Sequence, residues 1–218
     1  MTDIIETPSG KSAGDENFPV GSFLLPRRLR PHVALFYAFA RAADDIADNP
    51  ELKSEDKLRR LAALDAVFLG EGLNDPALVK AIRLRRSLEE TKVPVDHCRD
   101  LLAAFGQDAI KNRYASWGEL MGYCRLSASP VGRYLLDLHG ESQEDWPASD
   151  ALCDALQVLN HLQDCKKDFL ELDRVYLPQD WLAAENSSID DLVKDKASPG
   201  LRHVLDRCLD GVDELLAR

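Results

Sequence analysis

Long apolar runs are missing from this 218-residue chain: no stretch approaches the ~20 consecutive apolar residues that a membrane-spanning helix needs. The opening, MTDIIETPSGKSAGDEN, lacks the basic and then apolar layout of a secretory leader, so a soluble, cytoplasmic protein is expected, with at most peripheral contact at the inner membrane. A basic surplus is also missing. With 27 Lys and Arg against 38 Asp and Glu, the net charge of −11 speaks against nucleic acid or an anionic surface as partner and favours cations or cation-bridged anions. No C-x-x-C pair occurs, and the five cysteines (Cys98, Cys124, Cys153, Cys165, Cys208) sit mostly in apolar helical pattern, as in a reducing compartment. There is no Walker loop, which leaves nucleotide hydrolysis without support. None of the histidines (His32, His97, His139, His161, His203) completes the Glu-x-x-His pairs of a carboxylate-bridged di-iron bundle. Period-two strands, internal repeats and low-complexity tracts are absent as well, which predicts an all-α protein.

What is present is a helical pattern with 45% hydrophobic residues, enough for one sizeable core. Residues 1–17 read as a mobile lead-in, and 18–218 as one domain. After Pro31, HVALFYAFARAADDIAD is apolar on nearly every side until Arg41, the pattern of a central buried helix, and Asn49-Pro50 stops it. Ser54 is expected to cap the next helix, which buries Leu58, Leu61, Leu64 and Phe68 and closes at Gly70. Further helices are read in DPALVKAIRLRRSLEET, PVDHCRDLLAAFGQDAIKN, SWGELMGYCRLSASPVGRYLLDLHG (interrupted at Pro130), SDALCDALQVLNHLQDCKKDFLELD and the final stretch from Pro199.

Two acidic groups stand out. Asp44, Asp45 and Asp48 occupy the last turn of a helix, where carboxylates are unfavourable by about 0.3–1 kcal/mol each. On the long helix, Gln157, Asn160, Asp164 and Asp168 follow at steps of three or four and form one polar stripe. Acids at such spacing are ordinarily solvated surface. Here the first group hangs on a very apolar helix and the second is continued by amides. Oxygen-only donors suit a hard ion such as Mg2+, which keeps waters and shares positions with phosphate oxygens, so a phosphorylated substrate is expected between helices. His161 reads as a packed or solvent-facing side chain, not as a base.

Three stretches together, LLPRRLRPHVALFYAFARAADDIAD, YCRLSASPVG and ALQVLNHLQDCKKDFLELDRVYLP, resemble the squalene/phytoene synthases, all-α head-to-head isoprenoid synthases, over roughly Phe18 to Pro178. The resemblance implies an isoprenoid synthase fold with helices around a central apolar cavity. It implies that Asp44 and Asp48 form the first aspartate-rich motif and Asp164 and Asp168 the second, binding Mg2+ that holds a diphosphate, with Asn160 as a further metal ligand. It places Gln157 deeper in the cavity, Arg41, Arg174 and Tyr176 at diphosphate-contacting positions, Tyr123 at the active-site tyrosine, and Tyr37 and Phe18 among cavity-lining aromatics. Asp45 is expected only to support the ligands. An isoprenoid diphosphate is the implied substrate, and other enzymes of the squalene/hopanoid pathway are implied partners.

Where many members read YCxxVAGxVG, this chain carries Ser127, Ala128, Ser129 and Pro130, so hydroxyls replace Val and Gly. Such side chains can position a water beside a carbocation; the plainer reading is a helix break prepared by Pro130. With the NFPVGSFLLP opening, this form resembles the bacterial hopanoid branch, which converts presqualene diphosphate and water to hydroxysqualene. The family's serine-rich opening is replaced by DENF, which leaves that contact open, and family members usually continue for several helices beyond the point where this pattern stops. The rival enzymatic reading is condensation of two prenyl diphosphates to presqualene diphosphate, squalene or phytoene. A non-catalytic scaffold with this fold is the rival of another class, but it would show eroded aspartate motifs. The Asn-Ser/Thr-Glu motif of class I terpene cyclases is not found.

Overall fold

In the computed structural model, residues 5–6 and 25–218 are described. Phe18 and most of the expected lead-in lie outside them. Among the described residues are nine α-helices and one two-stranded parallel ladder, so the all-α reading holds. The chain divides into two units, Met1–Ala109 with Tyr134–Gln143, and Ile110–Arg133 with Glu144–Arg218.

The first unit holds α1 (Arg30–Asp48), α2 (Ser54–Leu69), α3 (Val79–Thr91) and α4 (Asp96–Asp108). Pro31 sits in the first turn of α1, where a missing N–H costs nothing, and Asn49 leaves the helix in the extended conformation that a following proline demands. Phe36, Phe39, Ala43 and Ile46 are buried on α1, which packs against α2, α3 and α4. Phe39 meets Phe68 edge to face at 5.2 Å, and Phe36 stacks on Tyr134. The expectation that α1 is buried all round needs correction. Ala34 is exposed, and Tyr37, Ala38, Arg41, Asp44 and Asp48 are only partly covered, so one stripe of this helix stays accessible. Ser54 does not cap α2 either. Lys53 holds the N-cap position, and the Ser54 hydroxyl donates to the Ala109 carbonyl at 2.6 Å, satisfying a backbone oxygen at the end of α4. Leu61, Leu64 and Phe68 are buried, but Leu58 is exposed. Gly70 ends α2 at φ +100°, a conformation that only glycine adopts without strain.

The second unit holds β1 (Arg113–Tyr114), α5 (Trp117–Ser127), the start of α6 (Ser129–His139), α7 (Trp146–Leu172), β2 (Val175–Pro178), α8 (Gln179–Ala184) and α9 (Pro199–Leu216). The break between α5 and α6 falls at Ala128, two residues before the expected Pro130, because proline is accommodated in the first turn of the following helix. For the same reason α7 starts at Trp146, ahead of the expected Ser149, with Pro147 in its first turn. Packing of α7 against α9 and α5 forms the core of this unit. All five cysteines are free thiols; Cys98, Cys124 and Cys208 are buried, and burial pushes these three thiols well above their ordinary range. Among the described residues, no helix is long and apolar enough to cross a membrane.

Candidate active site

The accessible stripe of α1 carries Tyr37, Arg41, Asp44 and Asp48 at helical spacing. Arg41 explains part of the unfavourable acid placement. Its guanidinium bridges Asp44 Oδ2 at 2.6 Å and Asp45 Oδ1 at 2.9 Å, with Nε adding a 3.0 Å bond to Asp45. Asp45 is buried and accepts from this arginine. Lys57 donates to the Ala47 carbonyl at 2.7 Å and so satisfies one of the helix's last carbonyls. One cation does not balance the group. Burial, then the neighbouring Asp48 charge, lift the Asp44 carboxyl to about 7, with Arg41 opposing and Asp108 and Asp45 adding to the rise. Asp108, at the end of α4, is a contributor that the sequence reading passed over; its proximity to Asp44 is a tertiary effect with no signature in local spacing.

In the second unit, Gln157, Asn160, Asp164 and Asp168 share one partly covered face of α7, as the spacing predicts. The helix then ends in a way that builds the next part of the site. Asp173 adopts the left-handed conformation at φ +52°, and its carboxylate accepts from Arg113 at 2.5 Å and Asn112 at 3.1 Å, which holds its proton affinity below the usual range. The chain reverses there and enters β2, with Val175 N–H bonded to the Asn112 carbonyl at 2.9 Å. This geometry buries Arg174 and Tyr176 together. Arg174 Nη1 lies 3.5 Å from the Tyr176 hydroxyl, which in turn lies 3.5 Å from that of Tyr123. Tyr123, Tyr176 and Tyr114 form a ring cluster with centroids 5.3–5.4 Å apart. His161 stacks on Tyr176 at 3.6 Å, and burial, then the Arg174 charge, push its imidazole down to about 3, so the ring is neutral.

Tyr114 and His161 were not among the expected site residues. Tyr114 gave no motif signal, and only the tertiary arrangement reveals it. His161 is packed, one of the two alternatives read from the sequence. The two serines part company. Ser129 is fully buried and donates to Asp154 Oδ1 at 2.9 Å, tying the start of α6 to α7, so its hydroxyl is already engaged. The Ser127 hydroxyl is buried without a hydrogen-bond partner. Gly132, the glycine of the VG pair, permits close helix approach: a Cβ there would fall 2.4 Å from Ser149 Oγ and 2.6 Å from Cys153 Sγ. Among the described residues, no three His, Cys, Asp or Glu side chains converge as a ready-made metal site.

The model of the squalene/phytoene synthase family matches residues 11–218. The chain belongs to the squalene/phytoene synthase family. Members of this family are isoprenoid synthases acting on isoprenoid diphosphates. A hydroxysqualene synthase of Rhodopseudomonas palustris is 49% identical over 212 residues, 97% of this chain and 70% of that protein. One from Sinorhizobium fredii is 50% identical over 84% of this chain and 62% of its own length. Thus the chain spans less than three quarters of either relative. Among solved structures, squalene synthase HpnC from Alicyclobacillus acidocaldarius superposes with a TM-score of 0.76 at 35% identity, covering 93% of this chain and 76% of that one. The isoprenoid synthase fold expected from the motifs is therefore the observed one.

Proposed function

We propose that this protein converts presqualene diphosphate and water to hydroxysqualene and diphosphate with magnesium, in squalene and hopanoid biosynthesis. One observation carries the reading: about half of the residues are identical to two hydroxysqualene synthases over most of the chain. Intact aspartate pairs on α1 and α7 support catalysis over a scaffold role.

The donor chemistry fits magnesium. Asp44, Asp48, Asn160, Asp164 and Asp168 offer oxygen only, and Asp44 stands among carboxylates that one arginine does not neutralise. Asp44 and Asp48 would hold metal in the first unit, and Asn160, Asp164 and Asp168 in the second. With so few protein donors at each place, substrate oxygens and waters would complete the coordination of a bound ion. Bound there, the ion neutralises charge on the departing diphosphate oxygens and lowers the barrier to ionisation.

The chain's own residues prepare the rest. Arg174, buried and therefore poorly screened, offers a cation to diphosphate, and the Tyr176 hydroxyl beside it offers a hydrogen bond. Arg41 contributes positive charge on α1 while held by Asp44 and Asp45. Tyr37, Tyr123 and Gln157, with Phe18, would contact the isoprenoid chain, and π-faces such as that of Tyr123 favour a passing carbocation.

Incubation of the purified chain with presqualene diphosphate and Mg2+, followed by mass-spectrometric product analysis, should give hydroxysqualene and equimolar diphosphate. Squalene from the same substrate, in a parallel reaction supplied with a hydride donor, would favour the product named for the A. acidocaldarius neighbour. Presqualene diphosphate formed from farnesyl diphosphate alone, squalene formed from it when a hydride donor is added, or phytoene formed from the C20 homologue would assign a condensing enzyme instead.

A further inference from the structure

In the first unit, the first turn of α2 reaches the ends of two other helices. Ser54 Oγ donates at 2.6 Å to the carbonyl of Ala109, the residue after the end of α4, and Lys57 Nζ donates at 2.7 Å to that of Ala47, one residue before the end of α1. The two side chains are three residues apart, so they leave α2 on neighbouring positions of one turn. Both carbonyls adjoin acids. Ala47 lies within the turn that carries Asp44 and Asp48, and Ala109 follows Asp108, which is 6% exposed and whose charge is felt at Asp44. These ends need holding. Helix termini are the first part of a helix to open, and three carboxylates in the last turn of α1 oppose both the helix dipole and one another. No side chain caps α2 from Lys53, so the turn that bears Lys57 is itself steadied by the Ser54 bond to the end of α4. The connection between α1 and α2 is folded back on itself, with the Glu51 N–H donating to Asn49 Oδ1 at 2.8 Å.

We propose that the first turn of α2 is a two-point staple, in which Ser54 and Lys57 hold the ends of α4 and α1 and keep Asp44 and Asp48 set for a divalent cation. This inference rests on the metal role proposed above for those two aspartates. Magnesium bonds oxygen at about 2.0–2.1 Å and demands near-octahedral geometry, so two carboxylates one turn apart serve it only while that turn stays wound. Lys57 keeps it wound by bonding a backbone carbonyl inside it, and its positive charge suits a helix C-terminus. Ser54 gives Lys57 a fixed base on α4, which packs against α1 in its turn. The same bond places the end of α4, and with it the Asp108 charge, beside the α1 acids. Ser54 and Lys57 act through the backbone and are positioning residues, not ligands.

The test combines two readouts on the full chain, with Asp164→Asn and Asp168→Asn as a common parent so that α1 supplies the aspartate pair. Amide hydrogen exchange follows the last turn of α1, and electron paramagnetic resonance of free Mn2+ follows metal binding. In that parent, Ser54→Ala and Lys57→Met should each speed exchange across residues 44–48 at least tenfold and weaken Mn2+ binding at least fivefold. Exchange across residues 36–39 should stay unchanged, which separates a loosened helix end from general unfolding. Lys57→Arg, which keeps a donor for Ala47, should bind Mn2+ within twofold of the parent. A lysine acting only as counter-charge predicts the opposite sign, since removing a cation beside carboxylates tightens Mn2+ binding, and it predicts no effect of Ser54→Ala. Unchanged exchange across 44–48, or unchanged or tighter Mn2+ binding, in either variant overturns the staple. A parent that binds no Mn2+ overturns the metal role of Asp44 and Asp48 instead, while the exchange rates still decide whether α2 holds the end of α1.

Discussion

At Asp44, burial and three neighbouring carboxylates outweigh one arginine, and this imbalance has a direct thermodynamic consequence. The folded state keeps its proton to about pH 7, whereas an unfolded aspartate releases it near the ordinary 3.8. Between these values the folded chain binds more protons than the unfolded one, so the ionisation of Asp44 costs stability progressively as pH rises from about 4 to about 7. Its side chain keeps 31% of its surface accessible, so water offsets part of the cost, and a penalty on the order of 2 kcal/mol at pH 8 is the reasonable scale. Asp44→Asn should therefore melt higher than wild type at pH 8 in chelator, and equally at pH 4, while losing turnover. Mg2+ should raise the melting temperature of wild type more at pH 8 than at pH 5 and leave Asp44→Asn nearly unmoved. Scanning fluorimetry across pH, with and without metal, checks both; a variant that melts lower at pH 8 would make Asp44 a structural acid.

At the level of helices, the Ser129 bond to Asp154 joins the start of α6 to α7 inside a buried setting that already lifts the Asp154 carboxyl above its ordinary range. Ser129→Ala leaves that carboxylate short of a donor, at a cost of about 1–3 kcal/mol that grows with pH. Denaturant melts at pH 5 and pH 8 measure it, and an equal loss at both would assign the effect to packing. Helix identities were legible in the sequence because Pro50, Gly70 and Pro199 punctuate strong apolar periods. The ends were less so. Ser54 resembles a cap by type, yet a carbonyl at the end of α4 claims its hydroxyl, and α7 begins at Trp146, three residues ahead of the expected Ser149, with Pro147 in its first turn. The short β1–β2 ladder leaves no period-two pattern, since two paired residues cannot show one. The acidic stripes were readable from spacing alone, whereas Tyr114, Asp108 and the partnerless His161 nitrogen depend on contacts distant in sequence.

For the whole molecule, a net charge of −11 bears on how an apolar product is handed on. Anionic lipid should repel the chain, so any membrane contact must run through apolar side chains such as the exposed Leu152, Leu156 and Leu170 of α7. Sedimentation with vesicles should accordingly be no greater for anionic than for zwitterionic lipid, and should not fall as salt rises; a preference for anionic vesicles that salt abolishes would reveal a basic surface that the net charge conceals. The buried thiols have a consequence of another kind. Cys98 belongs to the first unit, and Cys124 and Cys208 belong to the second. Shielded and protonated in the native state, they can react with iodoacetamide only when their own unit opens, so each serves as a built-in clock for it. Peptide mass spectrometry of alkylation in rising urea would show whether the three are modified together, as a single cooperative melt requires, or Cys98 on a timescale of its own.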